Sequence, residues 1–179
     1  LGPEPVAVLG SGLGGWIAAE MAVRCSDHLR RLVLAGAVGI KVSGPREVDI
    51  QETFILTQGQ LLETGWHDPA LGRERMKLPG SPGLSNDEVV TLVRNREAAV
   101  RFTWKPFMHN PKLRQWLHRI AVPTLVVWGE RDRIVRPDYG RASQQSIPAA
   151  QFQTIPQAGH YPYLERPDAF VDVVTRFLS

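Results

Sequence analysis

Residues 6–16 read Val6-Ala7-Val8-Leu9-Gly10-Ser11-Gly12-Leu13-Gly14-Gly15-Trp16, an apolar run that meets closely spaced glycines. The run over residues 5–9 alternates little, which is typical of a strand buried on both faces. Helical spacing follows over residues 13–25 and predicts one buried side, made of Ile17, Ala18, Met21, Ala22 and Cys25. A second short apolar run, residues 31–35, completes strand, tight glycine turn, helix and strand, the βαβ unit of a parallel sheet.

The amino-acid composition excludes several classes of protein. The chain has 179 residues, is 43% hydrophobic and carries a net charge of +3, which suits one domain with a sizeable core. It has no lysine or arginine stripe for nucleic acid, no apolar run long enough to span a membrane, and no histidine, cysteine and carboxylate group at metal-ligand spacing. We therefore expect no nucleic-acid partner, no membrane span and no metal. The single cysteine, Cys25, is expected to be buried and fits a reducing, cytoplasmic compartment.

The α/β rhythm is interrupted and then resumes. Residues 37–119 are richer in charge and contain several helical segments without sheet periodicity, which predicts a mostly helical insertion. Residues 123–128 and 152–155 predict two further strands, with a helix over 136–146 between them and a final amphipathic helix from about Pro167. The expected organisation is an α/β core made of residues 1–36 and 120–179, with residues 37–119 inserted.

Three features carry the chemistry. In the motif G-x-S-x-G, a nucleophilic serine sits on a strained strand-to-helix turn; Gly10 and Gly14 fill its outer positions and Gly12 occupies the position of the nucleophile. Asp132 follows one predicted strand and His160 follows the next. Because the carboxyl ends of parallel strands meet at one edge of a sheet, we expect these three positions to converge.

On these residues the chain resembles the α/β-hydrolase superfamily, in the branch with a helical cap after the sixth strand. The motifs that carry this resemblance occur in the order expected for the family, and they include V-P-T-L-V-V-W-G-E-R-D and A-G-H-Y-P-Y-L-E-R-P. The resemblance implies an α/β fold with a mostly parallel sheet, helices on both faces and residues 37–119 as the cap. It also implies that strands one to four, the N-terminal half of the fold, would precede Leu1. No cofactor is implied.

The resemblance also implies an activity, the hydrolysis of a carboxylic ester or related carbonyl compound. In an intact site a serine attacks, His160 takes its proton, Asp132 orients His160, and the backbone N–H of Leu13 donates to the oxyanion. Because Gly12 has no attacking atom, this chain is expected to be inactive. Ser11 lies one residue before the nucleophile position, so its side chain should leave the turn in another direction. We expect it to pack or form a hydrogen bond beside the turn rather than to attack.

Alternatives stay open at this stage. A C–C bond hydrolase would use the same three residues, and an aspartate nucleophile would have indicated dehalogenase or epoxide hydrolase chemistry. A non-catalytic protein that binds a small hydrophobic ligand is the alternative from another class. Gly12 itself has three possible origins: an engineered replacement, a natural protein without turnover, or a sequence error.

The cap is rich in large apolar side chains that would roof a pocket, and a hydrophobic or aromatic ester-like substrate would suit that pocket. The alternative is that they form the core of the cap. The pocket candidates, with Ser11, are Trp66, Trp104, Phe107, Met108 and Trp116, and the cap also contains Phe54 and Phe102. The oligomeric state stays open. With half a sheet, the first strand would be an unpaired edge, so the isolated segment is expected to aggregate and a preceding segment or partner chain is expected beside it.

Overall fold

The computed structural model describes residues 4–179, which fold around one parallel sheet. Its strands are β1 (Val6–Ser11), β2 (Leu29–Ala35), β3 (Thr124–Gly129) and β4 (Gln151–Ile155), in the spatial order β1-β2-β3-β4. Each neighbouring pair is parallel, so each connection crosses over the sheet. The α/β class and the parallel sheet expected from the sequence are confirmed.

Helices cover both faces of this sheet. Side chains alternate between faces along a strand, so Leu32 and Leu34 belong to one core cluster and Val33 and Ala35 to the other. The first cluster is covered by α1 (Leu13–Arg24) and α6 (Pro137–Gln145), and the second by α8 (Pro167–Leu178), which follows the short helix α7 (Pro162–Glu165). β2 and β3 are therefore buried on both sides, as their unbroken apolar runs predict.

Residues 37–119 lie between β2 and β3, are irregular up to Thr57 and mostly helical beyond it, and are called the cap segment below after the expectation from the sequence. It contains α2 (Gln58–Gly65), α3 (Pro69–Arg75), α4 (Asn86–Thr103) and α5 (Leu113–Trp116), and a 3-10 turn over Leu117–Arg119. Local chemistry fixes the starts of these helices. Thr57 and Ser85 form capping boxes at α2 and α4, and Asp68 accepts two backbone N–H bonds at the start of α3.

One side of the β1–α1 unit is uncovered. Within residues 4–179, β1 pairs with β2 alone, and Leu9, Ile17 and Met21 are 47%, 55% and 50% exposed. The side of α1 that is buried is made of small residues, Ala18, Ala19 and Ala22, because they allow the helix to lie close to the sheet. The expectation that Ile17, Met21 and Cys25 are buried was therefore wrong; Cys25 is exposed.

Candidate active site

The turn between β1 and α1 places Gly12 in a backbone conformation that favours glycine. Its φ is 52° and its ψ is −117°. Its N–H donates to the carbonyl of Ala35 at 3.0 Å, and its carbonyl accepts the N–H of Trp16 at 3.2 Å. Gly10 is equally constrained, since a Cβ there would lie 2.4 Å from the carbonyl oxygen of Gly14. The two glycines allow the chain to turn at once from strand into helix.

A carboxylate and an imidazole face this turn. Asp132 follows β3 and is 3% exposed; its Oδ1 accepts the backbone N–H groups of Ile134 and Val135, both at 2.9 Å. Its Oδ2 lies 2.8 Å from Nδ1 of His160, in the loop after β4. Because a carboxylate only accepts hydrogen bonds, Nδ1 carries a proton, and in the neutral imidazole Nε2 presents its lone pair.

Nε2 of His160 faces Gly12. A Cβ built on Gly12 would lie 3.9 Å from Nε2, with no other atom of the described chain within 4 Å beyond the adjacent residues. A hydroxyl on that carbon would reach hydrogen-bonding distance of Nε2. The three positions that the sequence singled out, Gly12, Asp132 and His160, therefore lie together at the carboxyl ends of the strands.

Leu13 is the first residue of α1. The N–H groups in the first turn of a helix have no acceptor within that helix, and the helix dipole adds partial positive charge there. The N–H of Leu13 therefore lies next to the turn in surroundings that favour a negatively charged oxygen.

A cavity of about 210 Å³ adjoins Gly12, Leu13 and His160. Its other lining is largely apolar, with hydroxyls from Thr53 and Tyr161 and one cation from Arg96. The apolar lining residues are Val38, Ile50, Phe54, Leu61, Met108, Ile134 and Tyr161. A small ligand with an apolar body and an anionic end suits these surroundings.

Of the predicted pocket residues, Met108 lines this cavity and the others lie outside its lining. Trp66 is fully buried against Tyr161, with ring centroids 5.5 Å apart. Phe107 packs edge-on against Phe54 and lines a neighbouring cavity. Ser11 is half-buried at the end of β1, and the rings of Trp104 and Trp116 are 44% and 43% exposed.

Sequence reasoning missed Arg96 and Tyr161. Arg96 lies on α4, where its guanidinium donates to the carbonyl of Phe54 at 2.6 Å; nothing in the sequence distinguishes it from Arg94 or Arg101 on the same helix. Tyr161 follows His160 and packs edge-on against the imidazole, and burial raises the pKa of its hydroxyl above the ordinary value. Its place in the H-Y-P-Y run was the available signal.

The end of α2 is bonded to the loop that carries His160. The N–H of His160 donates to the carbonyl of Gly65 at 2.7 Å. Glu165, 5% exposed, accepts the N–H of Gly159 at 2.6 Å with one oxygen and the N–H of His67 at 2.7 Å with the other. These three bonds, called the histidine clamp below, fix the backbone of His160 against the cap segment.

Within the part of the chain that the structure describes, no group of three or more histidine, cysteine, aspartate or glutamate side chains is arranged to hold a metal ion. Over the same residues, no helix combines the length and the apolar character needed to cross a membrane.

Comparison with known proteins adds a family and several relatives. The model of the alpha/beta hydrolase family matches residues 1–173. A 2-hydroxymuconate semialdehyde hydrolase of Pseudomonas putida is 30% identical over 196 residues, and an sn-1-specific diacylglycerol lipase of Mus musculus is 26% identical over 199 residues. Both alignments cover 100% of this chain, which spans only 64% and 61% of the lengths of these relatives.

Solved structures agree in fold. A meta-cleavage product hydrolase from Pseudomonas fluorescens superposes with a TM-score of 0.70 at 22% identity, covering 98% of this chain and 65% of that chain. A bacterial membrane phospholipase A superposes with a TM-score of 0.72 at 21% identity, covering 99% and 57%. At these identities the likeness concerns the fold alone.

Proposed function

The chain belongs to the alpha/beta hydrolase family, and from this membership we propose that its cavity binds a small carbonyl compound, with His160 as the base and Asp132 as the carboxylate that orients it. The alignment of Asp132, His160 and Gly12 carries this proposal. Nδ1 of His160 lies 2.8 Å from Asp132, and Nε2 lies 3.9 Å from the point where a side chain at position 12 would begin. This is the arrangement needed to remove a proton from a nucleophile at that point.

Gly12 closes the covalent route of this site. A serine hydroxyl at position 12 would attack the carbonyl carbon, and the N–H of Leu13 would stabilise the oxyanion. Glycine supplies no attacking atom, so the chain forms no acyl-enzyme at this position. Glycine also suits the φ of 52°, where a side chain costs about 1–3 kcal/mol.

The cavity lining indicates a substrate with an apolar body and an anionic group. Phe54, Leu61, Met108 and Ile134 supply apolar surface, and Arg96 is the cation of the lining. A guanidinium binds a carboxylate through two parallel hydrogen bonds, which fixes the orientation of the ligand. Arg96 would hold the anionic end while the carbonyl lies near His160.

Hydrolysis of a C–C bond beside a ketone is the second candidate reaction after ester hydrolysis, and two observations support it. The 30% identical relative is a hydrolase of 2-hydroxymuconate semialdehyde, whose name describes a carboxylate. Arg96 supplies a partner for such a group. The lipase among the relatives keeps ester hydrolysis as the first reaction to assay.

The test is restoration of the nucleophile by Gly12→Ser in the complete gene product. With p-nitrophenyl butyrate and a 2-hydroxy-6-oxo dienoate as probes, we expect turnover to rise by at least about 10³-fold over the glycine protein. The additional change His160→Ala should abolish that gain. A folded Gly12→Ser protein that stays silent but binds the dienoate tightly would establish the non-catalytic alternative instead.

Arg96→Met in the Gly12→Ser background tests whether Arg96 binds the anionic end of the substrate. Arg94→Met on the same helix is the matched control. We expect Arg96→Met to raise KM for the dienoate by about tenfold or more, because a charge-assisted hydrogen bond is lost. KM for the neutral ester should not change. Equal changes in KM for the two arginine variants would show that Arg96 does not bind the anionic group of the substrate.

A further inference from the structure

We propose that the site still hydrolyses activated carbonyl compounds, with a water molecule in place of the missing side chain and His160 as its general base. The reaction would be a single displacement without an acyl-enzyme. This inference rests on the proposed function, because it uses the same cavity and the same base. It differs from it in the source of the nucleophile.

The first support is the space beside Nε2. A Cβ built on Gly12 would lie 3.9 Å from Nε2 of His160, and no other described atom lies within 4 Å of that Cβ apart from Gly12 itself and its two chain neighbours. An oxygen one bond length beyond that Cβ would be at hydrogen-bonding distance from Nε2. A serine hydroxyl would occupy this point, and glycine leaves it open to solvent entering through the cavity.

The second support is that nothing holding His160 depends on residue 12. Asp132 binds Nδ1 at 2.8 Å and is itself held by two backbone N–H groups. The histidine clamp holds the backbone of His160 through Gly65 at 2.7 Å. The imidazole therefore keeps its position and its tautomer with glycine in the turn, and its lone pair has no side-chain proton to accept.

The third support is the lack of a better internal nucleophile. Ser11 is the nearest hydroxyl in the sequence, but it does not line the cavity. Thr53, in the cap segment, and Tyr161 do line it. In the described part of the chain none of these three hydroxyls is hydrogen-bonded to His160, because the one hydrogen bond of its ring is to Asp132. Water is the nucleophile that can reach Nε2 without rearrangement.

With a p-nitrophenyl ester as substrate, the reaction has two steps, water addition and loss of p-nitrophenolate. The water oxygen forms a bond to the carbonyl carbon while Nε2 of His160 takes one water proton and the carbonyl electron pair moves to oxygen, facing the N–H of Leu13. The tetrahedral intermediate collapses and breaks the bond to p-nitrophenolate, which receives the proton from the imidazolium. The products are the carboxylic acid and p-nitrophenol, and His160 is regenerated.

The experiment measures p-nitrophenyl acetate hydrolysis by the complete gene product with Gly12, by His160→Ala and by Gly12→Ser. We expect the glycine protein to be at least about tenfold faster than His160→Ala. Its time course should be linear without a pre-steady-state burst, and mass spectrometry should find no acetylated protein. His118→Ala, which removes an exposed histidine, controls for hydrolysis by surface imidazole and should leave the rate unchanged.

Other outcomes separate the two proposals. One outcome overturns the water route and leaves the proposed function standing. The rate of the glycine protein would then not exceed that of His160→Ala, while the Gly12→Ser protein is active and shows a burst. A burst or an acetyl group on Thr53 or Ser11 of the glycine protein also overturns the water route, because a side chain then supplies the nucleophile. Silence of both proteins, with no binding of the dienoate, overturns both proposals.

Discussion

At position 12, we expect the same substitution to have opposite effects on the proposed activity and on the stability of the fold. The φ of 52° with a ψ of −117° at Gly12 is a conformation that a Cβ makes costly. We predict that Gly12→Ser lowers the free energy of unfolding by about 1–3 kcal/mol, measured by urea denaturation, in the same protein in which it restores turnover. Gly14→Ser is the matched control, since a Cβ at Gly14 meets nothing within 4 Å. Equal stability of the two variants would contradict strain at position 12.

Asp49 makes the stability of the cap segment depend on pH. Burial by itself raises the pKa of Asp49, but hydrogen bonds from Ser43, Lys41 and the amide of Val42 outweigh it and lower the pKa to about 2, from an ordinary value of 3.8. The folded chain therefore takes up this proton only at lower pH than the unfolded chain does. The stabilisation is present in full above the ordinary pKa and is lost as the pH falls toward 2.

Asp49→Asn tests this dependence. We predict that the free energy of unfolding of the variant lies below that of the wild type at pH 7, and that the gap narrows as the pH is lowered from about 4 toward 2. Chemical denaturation of both proteins at several pH values measures the gap. A gap that stays constant over this range would show that the charge of Asp49 contributes nothing.

The histidine clamp joins elements that are far apart in the sequence. Glu165 accepts two backbone N–H groups at the junction between the cap segment and the loop after β4. One of its oxygens accepts the N–H of His67, and the other accepts the N–H of Gly159. A glutamine has one carbonyl oxygen and can replace only one of these bonds. We therefore infer that Glu165 positions the loop that carries His160.

In the Gly12→Ser background, we predict that Glu165→Gln lowers kcat by about tenfold or more and leaves KM nearly unchanged, because the base is displaced while the cavity persists. The readout is steady-state kinetics below the onset of unfolding. Glu63→Gln on α2 removes an exposed carboxylate and should leave kcat unchanged. A parallel loss of kcat and folded protein, without displacement of the His160 ring signals in NMR spectra, would assign Glu165 to stability alone.

The sequence predicted those elements whose cause is local. The apolar runs predicted four strands within one or two residues of β1, β2, β3 and β4. Asp132 and His160 were candidates because each lies in the loop after one of these strands, and the structure places their side chains 2.8 Å apart. The buried side predicted for α1 was right for Ala18 and Ala22 and wrong for Ile17 and Met21, because the sheet packs against the small residues of this helix. The sequence also could not distinguish Met108 from Trp66, since residue type predicts burial without specifying the cavity.

On the scale of the whole molecule, the open side of the β1–α1 unit is an exposed apolar surface beside an unpaired strand edge within residues 4–179. Leu9, Ile17 and Met21 are exposed beside an apolar cavity of about 530 Å³ that Trp16 and Phe102 also line. The outer edge of β1 is unpaired among the described strands. Exposed apolar surface next to a free strand edge favours association with other chains.

We predict that the 179-residue chain alone binds a hydrophobic dye and aggregates. Ile17→Lys with Met21→Lys should reduce light scattering with little change in the free energy of unfolding, because both side chains are about half exposed. Ala18→Lys, on the buried side of α1, is the contrasting variant and should unfold the chain. A monomer of this chain that unfolds cooperatively and binds no dye would contradict the prediction.

The bond between Gly65 and His160 spans 95 positions of the chain, and this has a consequence for synthesis. A ribosome releases the turn at Gly12 and the whole cap segment long before the loop after β4 emerges. Until residues 159–165 leave the exit tunnel, the nascent chain has a cavity wall without His160 beside it. We therefore expect the proposed site to be completed in one late event, so that a chain truncated before His160 would lack the proposed base even after all four described strands have been synthesised.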